Sequence, residues 1–514
     1  MDPTSTRASS IQSVGLEPVP PTATPSLTIK AEKSPITKAD IEHAPVLDDP
    51  RKWSRARKTS ILFVISFASA IAGLGTSFPA IQQIEKQLHA SAGQISLSLS
   101  LFILVQGGAP LFWAAMSEIK GRKMIYIVAI ALNLVGCICV ATAKTIQLVI
   151  GMRVVQAAGS SAVMAIGAAT LADIYEPSER GTMMGIYYTA PLLGPSLGPI
   201  IGGLLTQFFN WRATFWFMVI FAGLNLLSFV FIFKDTFRRE RSLTYQQVLR
   251  RLEQERSAAS TAANSKRASQ VTLSPVKRLD EITLSLKDVN PIGPVFMVLR
   301  RLNNFTILFA SGLIFSFSYS ISYTCARTLG NKYDFDALKI GLTLLAYGIG
   351  SIAGSIFGGN HSDRTLARMK ALNGGRSAPE MRLASTKLGL LGLPPATIAY
   401  AWIAQERVHV AAVCVTLFFC GFFSIWVYSS TLAYLVDANA GRSSTAVAAN
   451  SFYRGLFAFI AAEVAVPLQN AIGDGGLYTL WAGLTVLTAF LILLVLWKGG
   501  QWREAAEKRE ARSP

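Results

Sequence analysis

From about residue 58 onward, apolar runs close to 20 residues long alternate with short polar stretches. Ile61 to Ile81, Leu97 to Met116, Met124 to Ala143 and Leu477 to Trp497 are examples. Coiled as an α-helix, such a run crosses the roughly 30 Å hydrocarbon core of a bilayer. Water is absent there, so backbone N–H and C=O groups must be satisfied within the segment, which a helix does. The pattern predicts helices near 58–82, 94–116, 123–142, 147–173, 180–205 and 212–233, then 303–325, 337–358, 384–404, 409–434, 443–468 and 477–498. The ninth is interrupted by "GLPPA", Gly392 to Ala396, where proline frees carbonyls that neighbouring helices must satisfy.

The predicted fold is an all-α polytopic membrane protein with twelve transmembrane helices in two pseudo-symmetric six-helix halves. Residues 1–57 form an N-terminal tail, 58–233 the first half, 234–302 a basic loop, 303–498 the second half and 499–514 a C-terminal tail. With the N-terminus in the cytoplasm, about 35 Lys and Arg lie on that side and about seven on the other, as the positive-inside rule requires. Both termini, both tails and the central loop are then cytoplasmic. The first 50 residues are rich in Ser, Thr, Pro and Lys and lack the apolar stretch of a secretory signal, so they read as a disordered tail.

Composition agrees. Of 514 residues, 51% are hydrophobic and 15% charged, against about 25% charged in soluble domains. The net charge of +18 belongs to membrane topology rather than to nucleic acid, because no basic stripe carries interleaved aromatics for base stacking. The five cysteines all lie in apolar runs, without CxxC spacing, and read as packing residues. No metal or cofactor is expected. There is no G-x-x-x-x-G-K-[ST] phosphate loop to drive a pump with ATP. None of the four histidines is central to an apolar run, so an intramembrane enzyme is not expected.

Six helices, a long loop and six helices imply duplication, with a substrate site near the midplane between the halves. Equivalent positions match in kind. "SEIKGRK" follows the second helix and "GNHSDR" the eighth; "LADIYEPSERG" ends the fourth and "YLVDANAGRSS" the tenth.

Three motifs carry a family resemblance. In Ala114 to Lys123, "AAMSEIKGRK", Gly121, Arg122 and Lys123 fit the pattern G-x-x-x-D-R-x-G-R-[RK], with Glu118 in place of the acid, Ala114 of the glycine and Ile119 of the first Arg; the second copy is Gly359, Asp363 and Arg364. In "RVVQAAGSS", Arg153 and Gln156 fit R-x-x-Q-G. In "GIYYTAPLLGPSLGPIIGG", Gly185, Pro191, Gly194, Pro195, Gly198, Pro199, Gly202 and Gly203 fit an antiporter motif whose small residues admit close helix approach and whose prolines bend the helix. "GLGTSFPAI" with Pro79, "NWRATFW", "PEMRL" (Pro379 to Leu383) and "NSFYR" with Asn450 add smaller matches.

With these motifs in order, residues 50–500 resemble the major facilitator superfamily, and within it the fungal twelve-span drug:proton antiporters, which export drugs, polyamines and organic metabolites. The resemblance implies a secondary transporter, not an enzyme, that exchanges a small-molecule substrate for protons by alternating access, without a cofactor. It implies a cytoplasmic gate latch at Glu118, Gly121, Arg122 and Lys123, with Asp363 and Arg364 as its second copy. Asp173 with Arg180, and Asp437 with Arg442, look like paired gate charges, or else solvated surface pairs. Arg153 and Gln156 are implied in proton coupling; the alternative for Arg153 is a guanidinium locked on backbone carbonyls.

Arg454 and Glu463 lie in the eleventh helix about 13 Å apart, too far to pair. An intramembrane Arg should face the bundle interior or water. A carboxylate desolvated there suits a proton carrier, or else lines a vestibule. Tyr187, Tyr188, Phe315, Tyr319, Tyr323, Trp426 and Tyr428 could stack a cationic or aromatic substrate, or simply pack. The excess of intramembrane cations favours a small organic acid; the resemblance favours drugs or polyamines. A transporter-like nutrient sensor is the remaining alternative. The expected location is the plasma membrane, with the vacuolar membrane as the alternative, and the expected state a monomer. "NFT" at Asn304 faces the cytoplasm and should carry no glycan.

Overall fold

The computed structural model describes residue 46 and residues 48–75, 81–242, 245–246, 248–249, 251–252, 293–374, 378–439 and 443–512. Residues 1–45, Pro79, most of the central loop and Arg442 lie outside the described residues. So do the side chains of Arg180, Tyr188 and Pro195, and the surroundings of Gly185.

Twelve long helices form the described chain. They are α1 Arg55–Leu74, α2 Ala92–Lys120, α3 Arg122–Ala141, α4 Ile146–Ile174, α5 Pro177–Phe208, α6 Trp211–Phe231, α7 Leu302–Lys332, α8 Ala337–Leu372, α9 Lys387–Gln405 and α10 Val410–Ala438. The stretch Ser443–Arg512 holds the last two, α11 (443–472) and α12 (474–512), which meet at Gly473 with φ 70° and ψ 178°. Only glycine adopts that backbone without strain. Most of the helices are long and apolar enough to cross a membrane. The starts are capped as the sequence dictates: Ser91 and Gln94 form a capping box on α2, and Ser54, Thr145, Asn210 and Asp336 cap α1, α4, α6 and α8.

Several ends differ from the sequence expectation. α8 runs on to Leu372 and α12 to Arg512, well past the apolar runs, because polar residues prolong a helix as readily as apolar ones. The tail 499–514 is therefore helical to Arg512. Arg503 bonds the Glu380 carboxylate at 3.0 Å, and Arg301 bonds that of Glu510 at 2.8 Å. The basic loop contains a helix, Gly293–Leu299, and a 3-10 helix, Pro379–Thr386, leads into α9. α9 itself stays helical through Pro394 and Pro395.

Each half has its own core. Ile65, Tyr126, Ile166, Tyr187 and Phe229 close-pack in the first, and Phe317, Leu344, Tyr400, Leu417 and Tyr478 in the second. Outward, large apolar side chains stay bare: Phe231 is 80% exposed, Trp497 76% and Leu391 74%. Only a hydrocarbon surrounding makes such a surface stable. The five cysteines are free, as packing residues would be. Asn304 is sealed inside, donating to Asn439 Oδ1 at 2.8 Å.

The halves meet along two seams, α2 with α11 and α5 with α8. The duplication makes these seams equivalent. Contacts run from the end of the bundle away from Arg55 and Arg512, called here the far end, past mid-bundle to Leu111 of α2, which packs against Leu308, Ala446 and Ala449. Ser96 donates to the Ala462 carbonyl at 2.7 Å. Leu99, Tyr323 and Val466 pack together. Gly107 lies on Gly455, Gly203 on Ala337, and the Pro199 carbonyl on Gly341.

Candidate functional site

Four groups of the residues singled out in the sequence take definite positions. The first is the latch after α2. Gly121 has φ 86°, and a Cβ there would lie 2.2 Å from Asp235 Oδ2. Asp235 in turn accepts from the Arg122 backbone N–H at 3.1 Å. The Arg122 guanidinium donates to Asp173 at 3.3 Å and to the Ser117 hydroxyl, over the face of Phe237. Lys123 reaches the Val230 carbonyl at 2.9 Å. Glu118 is half-buried at the end of α2. Asp173 thus pairs with Arg122, brought to it from the start of α3; the expected partner Arg180 has its side chain outside the described residues.

The second half repeats the device with one change. Asp437, at the end of α10, is bound by Arg382 Nε, and the same guanidinium holds Asp363 at 2.8 Å. Arg364 is exposed, and among the described residues it does not join this bridge. Arg442, the expected partner of Asp437, lies outside the described residues; Asp363 and Asp437 are bridged by Arg382. That residue sits in "PEMRL", which was legible as a motif but not as a source of gate charge. Each clasp stays within its own half.

A further clasp holds the segment before α1. Asp49 makes two bonds of 2.7 Å to the Arg241 guanidinium, and Asp48 meets Lys234 at 2.8 Å and Arg238 at 3.0 Å. Bonding to Lys234, then to Trp53, holds the Asp48 carboxyl down at about 2; bonding to Arg241 lowers that of Asp49. A carboxylate with a depressed value contributes above its ordinary value and loses that contribution as pH falls through the lowered one. Amide exchange across 48–53 should therefore stay slow from pH 7 to about 4 and quicken as pH falls toward about 2. Exchange that quickens already near pH 6 would show that other groups hold the segment.

The second group is on α4. Arg153 is buried. Its Nη2 donates to the Gly75 carbonyl at 3.1 Å, and its guanidinium lies over Phe102 at 4.6 Å and Phe215 at 5.9 Å. The carbonyl and the aromatic faces fix the position of this guanidinium inside the first half. Gln156 points into the first half, toward Cys137 Sγ at 3.3 Å and Met218 Sδ at 3.7 Å. The structure does not bring Gln156 to the seams.

The third group is the α5 motif, which works as a two-sided contact strip. Gly194 and the Pro191 carbonyl press on Gly73 of α1, while Pro199 and Gly203 press on α8. Gly198 and Gly202 are buried.

The fourth group is on α11. Glu463 is half-buried on the seam, and its carboxylate accepts from the Ser100 hydroxyl of α2, in the other half. One helical stretch nearer the middle, Arg454 lies over Phe315 at 3.7 Å and Tyr428 at 4.6 Å and donates to the Tyr428 hydroxyl. Asn450 is buried one turn away and reaches the same hydroxyl at 3.5 Å. Phe315 joins Phe102, Ile103, Ala157 and Ala458 in a cluster drawn from both halves. Among the described residues, no group of three or more His, Cys, Asp or Glu could hold a metal ion. Tyr187 is core, its hydroxyl donating to the Val163 carbonyl at 2.7 Å, and Trp426 is buried.

A bundle of two six-helix halves, with large apolar side chains exposed on its outer face and ionisable residues along the plane between the halves, defines a multi-pass membrane transport protein. The chain belongs to the Major Facilitator Superfamily, whose model matches residues 62–462. Multidrug transporter DTR1 of Candida glabrata is 30% identical, over 88% of this chain and 87% of that one. Citrate exporter 1 of Aspergillus niger is 27% identical, over 89% of each. Among solved structures, a D-xylose-proton symporter aligns with 86% of this chain and 97% of its own, at a TM-score of 0.60 and 13% identity, a likeness of fold.

Proposed function

We propose that this protein exports a small organic molecule in exchange for protons, by alternating access, from the cytoplasmic side of the plasma membrane. The curated relatives include a multidrug transporter and a citrate exporter. The α5 motif, fitted to α1 and α8 at once, supports the exporting direction. The excess of Lys and Arg at the chain-terminal end supports both termini in the cytoplasm. On that orientation the far end is extracellular, and the conformation described is shut there.

Glu463 carries the proton reading. It is an ionisable residue bonded across a seam that must part for the site to open outward. While the seam is shut, the ionised carboxylate accepts from Ser100. When the seam parts, that bond is lost and outside water can protonate the carboxylate. In proteoliposomes of known orientation, export should move protons in the opposite sense, and Glu463→Gln should still exchange solute while losing proton coupling. Undiminished coupling in that variant would remove Glu463 from the path, and solute movement without protons in the wild type would sink the antiport reading.

A further inference from the structure

The mid-bundle group on α11 names a substrate class, an inference that rests on the transport reading above. Near the chain-terminal end Arg122, Arg238, Arg241, Arg301, Arg382 and Arg503 each have a carboxylate within 3.3 Å. Arg454 is different. Among the described residues no carboxylate pairs with it, and its Nε is buried without a hydrogen-bond partner. A guanidinium in a membrane interior is costly without a counter-charge. Its own helix offers only Glu463, nine residues on and engaged with Ser100.

Two further observations fix the chemistry. Beside Arg454, the rings of Phe315 and Tyr428 that could stack a cation are already engaged by Arg454 itself. A cationic solute would meet an uncompensated positive charge in place of an open aromatic face. Beside it, four residues away and hence on the same face of α11, Asn450 is 2% exposed and its Oδ1 has no partner. An open charged donor and an open neutral acceptor therefore stand together where both halves contribute to one cluster. A carboxylate satisfies the donor, bonding the guanidinium edge in the fork geometry suited to that pair. A hydroxyl satisfies the acceptor.

We infer that the α11 pair Arg454 and Asn450 is a seat for a small organic hydroxy-carboxylate, its acid group on Arg454 and its hydroxyl on Asn450. The full-length protein in proteoliposomes would be tested by counterflow with citrate and tricarballylate, and with L-malate and succinate, pairs that differ by a hydroxyl. Spermidine serves as the cationic probe. At least one hydroxy-acid should exchange, about tenfold more tightly than its partner lacking the hydroxyl. Arg454→Gln should weaken it on the order of 50-fold, Arg454→Lys less, since it keeps the charge and loses the fork. Asn450→Leu should erase the preference for the hydroxyl.

Thermal unfolding of each variant in detergent identifies any that fail to fold, and Arg454→Lys, the milder change, then stands for the site. Hydroxy-acid exchange unaltered in a folded Arg454 variant would overturn the seat, as would no exchange of any of the four acids. Spermidine exchange with none of the acids would overturn the anion class while leaving transport intact. Arg454-dependent acid exchange without proton movement would leave the seat standing and remove the antiport.

Discussion

Gly107→Val should reduce transport by more than about tenfold while the two halves remain folded, since their cores are separate. At Gly107 an added Cβ would stand 2.7 Å from the Ser451 carbonyl oxygen and 2.8 Å from Gly455 Cα. Both are backbone atoms on the facing helix, so no side chain can turn aside to make room. The cost falls on the closed seam alone, and the population shifts to conformations in which α2 and α11 stand apart. The measurement is paired: solute exchange, and the labelling rate of a cysteine placed at Ser96, which bonds Ala462 in the closed seam. Transport should fall and labelling should rise. Full transport with unchanged labelling would mean that this approach of α2 to α11 is not required in the cycle.

Asp474→Ala should be the most destabilising single change in the second half, at about 3 kcal/mol. The Asp474 side chain is 2% exposed and opens α12 just past the Gly473 bend. It accepts from Lys332 at 2.8 Å, from the Thr328 hydroxyl at 2.8 Å and from Gln469 at 2.7 Å, tying α7 to the α11–α12 corner. Removing the carboxylate leaves three donors facing one another, the ammonium among them. The thermal midpoint in detergent should drop clearly, and less for Asp474→Asn, which keeps an acceptor. An unchanged midpoint for the alanine variant would show that Lys332 and its neighbours find water instead.

The helices and their order were legible because a bilayer demands about 20 apolar residues in a row, and nothing else in a chain looks like that. The ends were not. Past Gly358 in α8 and Lys498 in α12 the apolar signal stops while the helix continues, since what sustains it there is backbone bonding and polar side chains. Paired charges were legible as types and not as partners. Asp173 and Asp437 have partners, Arg122 and Arg382, that lie 51 and 55 residues back and are brought close by the return of the chain, which spacing along the sequence does not reveal. Asp474 escaped notice for a related reason: in "GDGG" it reads as a turn residue, and only the packing of α7 against it makes it a buried charge. The latch glycine, the close-packed strip of α5 and the mid-bundle Arg454 were visible because glycine, proline and an intramembrane charge are expensive unless something requires them.

The unbroken run of α12 to Arg512 makes the end of the chain a lever. Arg503 on Glu380 and Glu510 on Arg301 fasten it to two separate parts of the second half, so it cannot swing independently of them. A rigid reporter group built onto its last turn would follow the tilt of that half directly. Paired with a second reporter on the Asp48–Arg238 clasp of the first half, it would convert the rocking of the two halves into a change in one distance, readable one molecule at a time.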